Sequence, residues 1–310
     1  VSLSRTTDRP RLGAVLTCVA MLLFACMDAM SKFLVQDYPV AETLWVRFII
    51  FTGFALLIAR PFGIRRMLRS ARPWLQTGRA LLALVESATF VLAFNYLPLA
   101  DTHAVAATSP LLVVALSVVL LGEHAGARRW VAVGLGFAGV LLIVRPGFQT
   151  LTWPLLLPLA GAFLWALYQV LVRLVARDDR PETTLLWSAW VGLAAVTLLV
   201  PWHWRTPDTL AWVLMICIGI LGSLAHFALI KALDFAEASA VQPYGYTLLV
   251  WAAVLGVLVF GNVPGPWTIV GAAVVVAGGL YAWWQDRARS PGAFGAGSPD
   301  VQAENHAAPR

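Results

Sequence analysis

The chain has 310 residues, is 60% hydrophobic and only 12% charged, and carries a formal net charge of +6. A soluble domain has roughly 25% charged residues, so there is too little polar surface here to clothe a water-soluble globule. The positive excess, 20 Arg and 2 Lys, gathers in alternate connections between apolar runs, which is a topology signal and not a nucleic-acid footprint.

A helix crossing ~30 Å of hydrocarbon needs about 20 apolar residues. Ten runs meet this, near 12–35, 41–59, 74–97, 102–121, 130–145, 154–175, 183–200, 210–231, 238–260 and 266–284. The expected fold class is an all-α integral membrane protein with ten transmembrane helices. The runs are too long for barrel strands and lack their alternation.

Residues 1–11 read as a cytoplasmic N-terminal segment with Arg5, Arg9 and Arg11. The first run carries Asp28 and Lys32, four residues apart and therefore on one face. Asp28, a turn deeper, is a candidate charge-binding residue, whereas Lys32 is expected to snorkel to the headgroups. The second run holds Glu42 and Arg47; Arg47 is expected to pair with Glu42 or a neighbouring helix, or to bind an anionic group. The loop at 60–73 is an Arg-rich linker. The third run contains Arg79 and, near its middle, Glu86. A charge at that depth costs at least ~2.5–3.5 kcal/mol and faces protein or a wet cavity. Glu86 is thus a candidate for proton coupling or cation binding, with a structural charge pair as the alternative. Asn95 and His103 flank the turn at 98–101 and read as interfacial. The fourth run carries Thr108, Ser109 and Pro110 within it.

Small residues in the fifth run (Gly134, Gly136, Gly139) and the tenth (Gly271, Ala272, Gly278, Gly279) are expected to serve close helix packing or a dimer seam. The sixth run repeats the four-residue spacing with Gln169 and Arg173, and adds Trp165 and Tyr168. The eighth places His226 in mid-span as a cavity hydrogen-bonder; Ser223 lies three residues earlier, without a nucleophile turn. The ninth opens with Gln242, Pro243, Tyr244, Gly245 and Tyr246, followed by Trp251. Pro and Gly in one turn leave backbone groups for a cavity or ligand, and aromatic rings offer flat apolar faces with polar tips. The candidate substrate-binding set is Trp165, Tyr168, Gln169, Gln242, Tyr244, Tyr246 and Trp251; the candidate coupling or charge-binding set is Glu86, Asp28, Arg47 and His226. Residues 285–310 read as a disordered cytoplasmic tail. Cys18, Cys26 and Cys217 lie inside runs without metal or disulfide spacing, so no metal and no cofactor is expected.

The runs split into two sets of five. Residues 94–105 read FNYLPLADTHAV and residues 230–241 read IKALDFAEASAV, with Asp101 answered by Glu237. Five is odd, so the second set is expected to cross in the opposite sense, the inverted repeat common in secondary transporters. Arg128, Arg129, Arg173, Arg177, Arg180, Lys231, Arg287 and Arg289 fall on one side, against Arg145 and Arg205 on the other, which predicts cytoplasmic termini.

Pro110 through Leu121-Gly122-Glu123 and the Gly-rich fifth run ending at Gly147 form one motif set. Its second copy is Val241-Gln242-Pro243-Tyr244 through Phe260-Gly261-Asn262-Val263-Pro264, then Gly271 to Gly279. These resemble the drug/metabolite transporter superfamily, in its ten-helix EamA group. The resemblance covers 12–284 and implies EamA repeats at 12–147 and 153–284. Family repeats end the fourth and ninth helices with Gly-Glu; Asn262 departs from this and is expected to act as a cap. The run Met27 to Lys32, with Trp45-Val46-Arg47, is similar to the vitamin and S-adenosylmethionine branch.

The resemblance implies a secondary transporter, not an enzyme. It would move a small amino-acid, drug-like or vitamin-like metabolite across the bacterial inner membrane by alternating access, with export expected. Uptake of riboflavin or S-adenosylmethionine is the alternative. A passive channel is the reading from another class, and isolated polar groups in place of a continuous stripe speak against it. Expected partners are the substrate and the bilayer, with no nucleic acid, for a monomer or homodimer.

Overall fold

Lipid offers no hydrogen bonds to the backbone, so a spanning segment must satisfy its own, and long apolar runs fold as helix. The computed structural model describes residues 10–122, 127–144, 153–175, 178–202, 204–235 and 242–288. Its helices are α1 (Pro10–Leu34), α2 (Val40–Ala59), α3 (Ile64–Met67), α4 (Pro73–Tyr96), α5 (Leu99–Ala106) and α6 (Ser109–Leu121). They continue as α7 (Ala127–Val144), α8 (Leu156–Val175), α9 (Pro181–Leu199), α10 (Thr209–Phe235), α11 (Thr247–Phe260) and α12 (Pro266–Ala288). Glu123, residues 145–152 and Glu237 lie outside the described residues, as do most of the N-terminal segment and of the tail.

Helix occupies all ten expected positions, but the runs are not equivalent. Eight are long and apolar enough to cross a membrane. At the fifth and tenth positions the apolar stretches are only Val133–Val144 and Pro266–Tyr281. Large apolar side chains stay exposed around the bundle, among them Val119, Leu198 and Leu258, as suits a surface solvated by hydrocarbon.

The fourth run is broken. Between α5 and α6 the chain turns at Ala107 and Thr108, where Thr108 Oγ1 donates to the Val105 carbonyl at 2.7 Å and Ser109 Oγ to that of Ala106 at 2.6 Å. Pro110 then sits in the first turn of α6, where its missing N–H costs nothing. The ninth run opens as a 3-10 turn, Gln242–Tyr246, before α11. Both helices end alike. Gly122 after α6 has φ 67° and Gly261 after α11 has φ 66°, a conformation that glycine adopts without strain. The Asn262 backbone N–H reaches back to the Gly256 carbonyl at 2.9 Å. Asn262 thus closes the helix end through its backbone N–H, next to the left-handed Gly261.

α1 packs along α10, and α4 along α8; α2 lies against α9 and α10, and α4 also against α9. Met27, Leu34, Val46, Met215 and Ile218 fill the seam of α1, α2 and α10. Phe48, Leu84, Val91 and Val196 fill that of α2, α4 and α9. α7 and α12 meet at their glycines: a Cβ on Gly139 would lie 2.7 Å from the Gly271 carbonyl oxygen, and one on Gly271 2.6 Å from that of Gly139. Gly139 and Gly271 thus serve packing within the chain.

Candidate functional site

Four helices bring the candidate charge-binding residues together. Asp28 comes from α1, Arg47 from α2, Glu86 from α4 and His226 from α10. Arg47 is within electrostatic reach of both Asp28 and Glu86, and His226 is within reach of Arg47. Arg47 therefore faces acids on two other helices, not Glu42 on its own. His226 Nδ1 lies 2.8 Å from the Gly222 carbonyl, so Nδ1 carries the proton and Nε2 is left as the acceptor. Its ring is held edge-on by Phe24, with centroids 5.0 Å apart, and is flanked by Phe51 at 5.7 Å. Glu86 is buried and accepts from Ser87 Oγ at 3.3 Å.

The cluster has a fifth member that the sequence reading assigned to the interface. His103, on α5, is 7% exposed, and its Nε2 lies 3.1 Å from Asp28 Oδ2. The approach is off-line for a hydrogen bond, leaving Nε2 without a formal partner, so the contact is electrostatic. The break after Ala106 ends α5 just past His103.

The aromatic candidates divide into two groups. On α8, which packs on α4, α5 and α6, Trp165 and Tyr168 stack with centroids 5.4 Å apart and planes at 25°. The guanidinium of Arg79 lies over Tyr168 of this pair, 5.3 Å from its ring. Gln169 follows, half-buried. The turn Gln242–Tyr246 packs instead on α1, α11 and α12. There Tyr244 is exposed, and the Tyr246 hydroxyl occupies the space that a side chain at Gly279 would need. Tyr246 thus docks on α12, and Trp251 is half-buried on α11.

Lys32 does not snorkel. It is buried, and its ammonium donates to the carbonyls of Phe94 at 2.7 Å and Leu97 at 2.8 Å. These are orphan acceptors at the end of α4, where a cation also meets the negative end of the helix dipole. Phe260 covers the amine at 5.5 Å. Lys32, Gln36, Asn95, Leu97, Phe260 and Asn262 line a cavity of about 550 Å³ at this end of α1, α4 and α11. Arg173 is exposed and donates to Ser117 Oγ at 3.3 Å among its contacts.

Two clamps tie helix beginnings together. In the first, Asp179 accepts from the Ala71 N–H at 2.8 Å, from Gln76 Nε2 at 2.9 Å and from Ser70 Oγ, while Arg72 pairs with Asp178 at 2.8 Å. Burial opposes charge on Asp179, but these hydrogen bonds and nearby Arg72 prevail and hold its carboxyl below the usual value. In the second, Glu42 accepts from the Arg205 N–H at 3.3 Å, and the Arg205 guanidinium donates to the Asp37 carbonyl and covers Tyr38. Among the described residues, no group of His, Cys, Asp and Glu is arranged to hold a metal ion.

The EamA-like transporter family matches residues 11–145 and again residues 152–283. A riboflavin transporter of Vibrio cholerae is 31% identical over 271 residues, 86% of this chain and 91% of that protein. An S-adenosylmethionine uptake transporter of Rickettsia prowazekii is 24% identical over 84% of this chain and 88% of that protein. A pseudopaline exporter of Pseudomonas aeruginosa is 28% identical over 87% and 95%. One solved crystal structure superposes with a TM-score of 0.64 at 21% identity, over 89% of this chain and 98% of the other, a likeness of fold alone.

Proposed function

Because the chain belongs to the EamA-like transporter family, we propose that it is a secondary carrier moving a small planar metabolite across the bacterial inner membrane by alternating access. The observation that carries this reading is the convergence of Asp28, Arg47, Glu86 and His226 from four helices. Charges that are costly in lipid are tolerated where they serve a path, and here they meet between helices of both matched segments. Glu86 either exchanges its Arg47 contact for a proton or engages a cationic part of the substrate.

Two inverted five-helix repeats with cytoplasmic termini suit this mechanism. Three correspondences support them. The matched family segments are two. The fourth and ninth runs share an irregular start and a left-handed Gly cap. The clamps also correspond, since each sets an acid leading into or opening the second helix of one set against an N–H ahead of the third helix of the other. The distribution of Arg supports the orientation.

The Trp165–Tyr168 stack suits a flat ring; the name of the Vibrio relative favours a molecule of that kind, that of the Rickettsia relative favours uptake and that of the Pseudomonas relative favours export. Purified protein in liposomes preloaded with riboflavin should show saturable counterflow of labelled riboflavin or a competing planar metabolite, and Trp165→Ala should weaken it. Flux linear in concentration and without counterflow identifies a channel and ends the carrier reading. A reporter fused at the end of α12 should behave as cytoplasmic.

A further inference from the structure

Arg79 is fully buried on α4 and has no acidic partner among the described residues. Its Nε and Nη2 donate to Gln76 Oε1 at 3.1 and 2.9 Å. Nη2 also approaches the Thr184 carbonyl and Ser188 Oγ, each at 2.9 Å. All of these acceptors are neutral. Asp179, which shares Gln76 with it, is already held by Ser70, Ala71 and Gln76. Nη1 meets no acceptor in hydrogen-bond geometry, and the side chain within electrostatic reach of the guanidinium is Tyr168.

Removing a guanidinium from water costs several kcal/mol, which neutral acceptors offset only in part. A buried donor left unpaired calls for a specific explanation. Arg47, one helix away, meets two carboxylates; Arg79 meets none. What lies against Arg79 instead is the flat face of Tyr168, itself stacked on Trp165. A planar cation with a free N–H beside a stacked aromatic pair is a receptor for an anionic group attached to a ring.

We propose that Arg79 and the Trp165–Tyr168 pair form an anion subsite of the carrier. It would receive a carboxylate or phosphate oxygen on Nη1 while the substrate's ring lies along the aromatic pair. The proposal rests on the planar-substrate reading above and adds charge selectivity to it.

Matched pairs of ligands test it on the purified full-length protein in nanodiscs: nicotinate against nicotinamide for carboxylate, and riboflavin 5′-phosphate against riboflavin for phosphate. Binding is read by tryptophan fluorescence and by thermal stabilisation. In at least one pair the anion should bind about tenfold tighter than its neutral partner. Arg79→Gln should erase that preference, bringing the anion's affinity to that of its neutral partner. Arg79→Lys, which keeps charge but loses the fork, should retain the preference with weaker binding; it decides the matter if Arg79→Gln does not fold. Equal affinity within both pairs, or a preference that survives Arg79→Gln or is untouched in Arg79→Lys, overturns the subsite alone. Failure of every compound to bind the wild-type protein overturns the planar-substrate reading and the subsite with it.

Discussion

Asp179, on the connection before α9, accepts a hydrogen bond at 2.9 Å from Gln76, in the first turns of α4. The same Gln76 accepts from Arg79, so a surface carboxylate and a buried guanidinium are linked through one amide. The sign of the resulting pH dependence follows from Asp179. Its folded value lies below the ordinary 3.8, so its bonds contribute full stability above that value, lost as pH falls through the depressed one. Charge-assisted bonds net about 1.5–3 kcal/mol, and partial exposure puts this group at the low end. Asp179→Asn should lower Tm at neutral pH and flatten its fall on acidification. Parallel curves for mutant and wild type would refute this role.

Glu86→Gln keeps size and hydrogen bonding but cannot titrate. If Glu86 takes the coupling proton, net flux should fall and lose its pH dependence while substrate exchange survives. If it binds a cationic group, both fall together. Wild-type flux and pH profile in liposomes leave Glu86 as packing.

Asp28 and His103 should be energetically coupled across the break after α5. Single and double variants, Asp28→Asn and His103→Gln, should give non-additive changes in thermal stability of about 0.5–3 kcal/mol. Strict additivity would mean that the 3.1 Å approach carries no energy.

Gly271→Val inserts a side chain where the Gly139 carbonyl lies 2.6 Å from the Cβ position. Overpacking of this kind costs about 1–3 kcal/mol, and here backbone, not a flexible tip, must yield. Folded yield from membranes should fall sharply, whereas Gly134→Ala, whose Cβ position has nothing within 4 Å, should be neutral. Equal yields would count against the α7–α12 contact.

Helix positions are legible in the sequence because hydrocarbon thickness sets a minimum length and charges cannot hide within it. Asp28, Arg47, Glu86 and His226 stand out for the same reason. The partners of Lys32 and Arg205 do not, because they lie 62 to 168 residues away along the chain. His103 looks interfacial by position; only the folded turn carries it inward to Asp28. Tyr246 stands out as an aromatic in a weakened turn, but its resting place on α12 depends on the missing side chain of Gly279. Chemistry confined to one helix can be read locally, whereas chemistry between helices needs their packing.

The central cluster holds two carboxylates and one guanidinium. With both acids ionised and the histidines neutral, it bears one net negative charge; with a single proton bound, it bears none. Displacing one elementary charge across the full membrane is worth about 2.3 kcal/mol per 100 mV. If the proposed cycle binds that proton on one leg only and shifts these side chains along the bilayer normal, one leg feels the membrane potential and the other does not. In such a cycle the direction of turnover would depend on voltage as well as on concentration, and an imposed potassium diffusion potential should change the rate of one leg only.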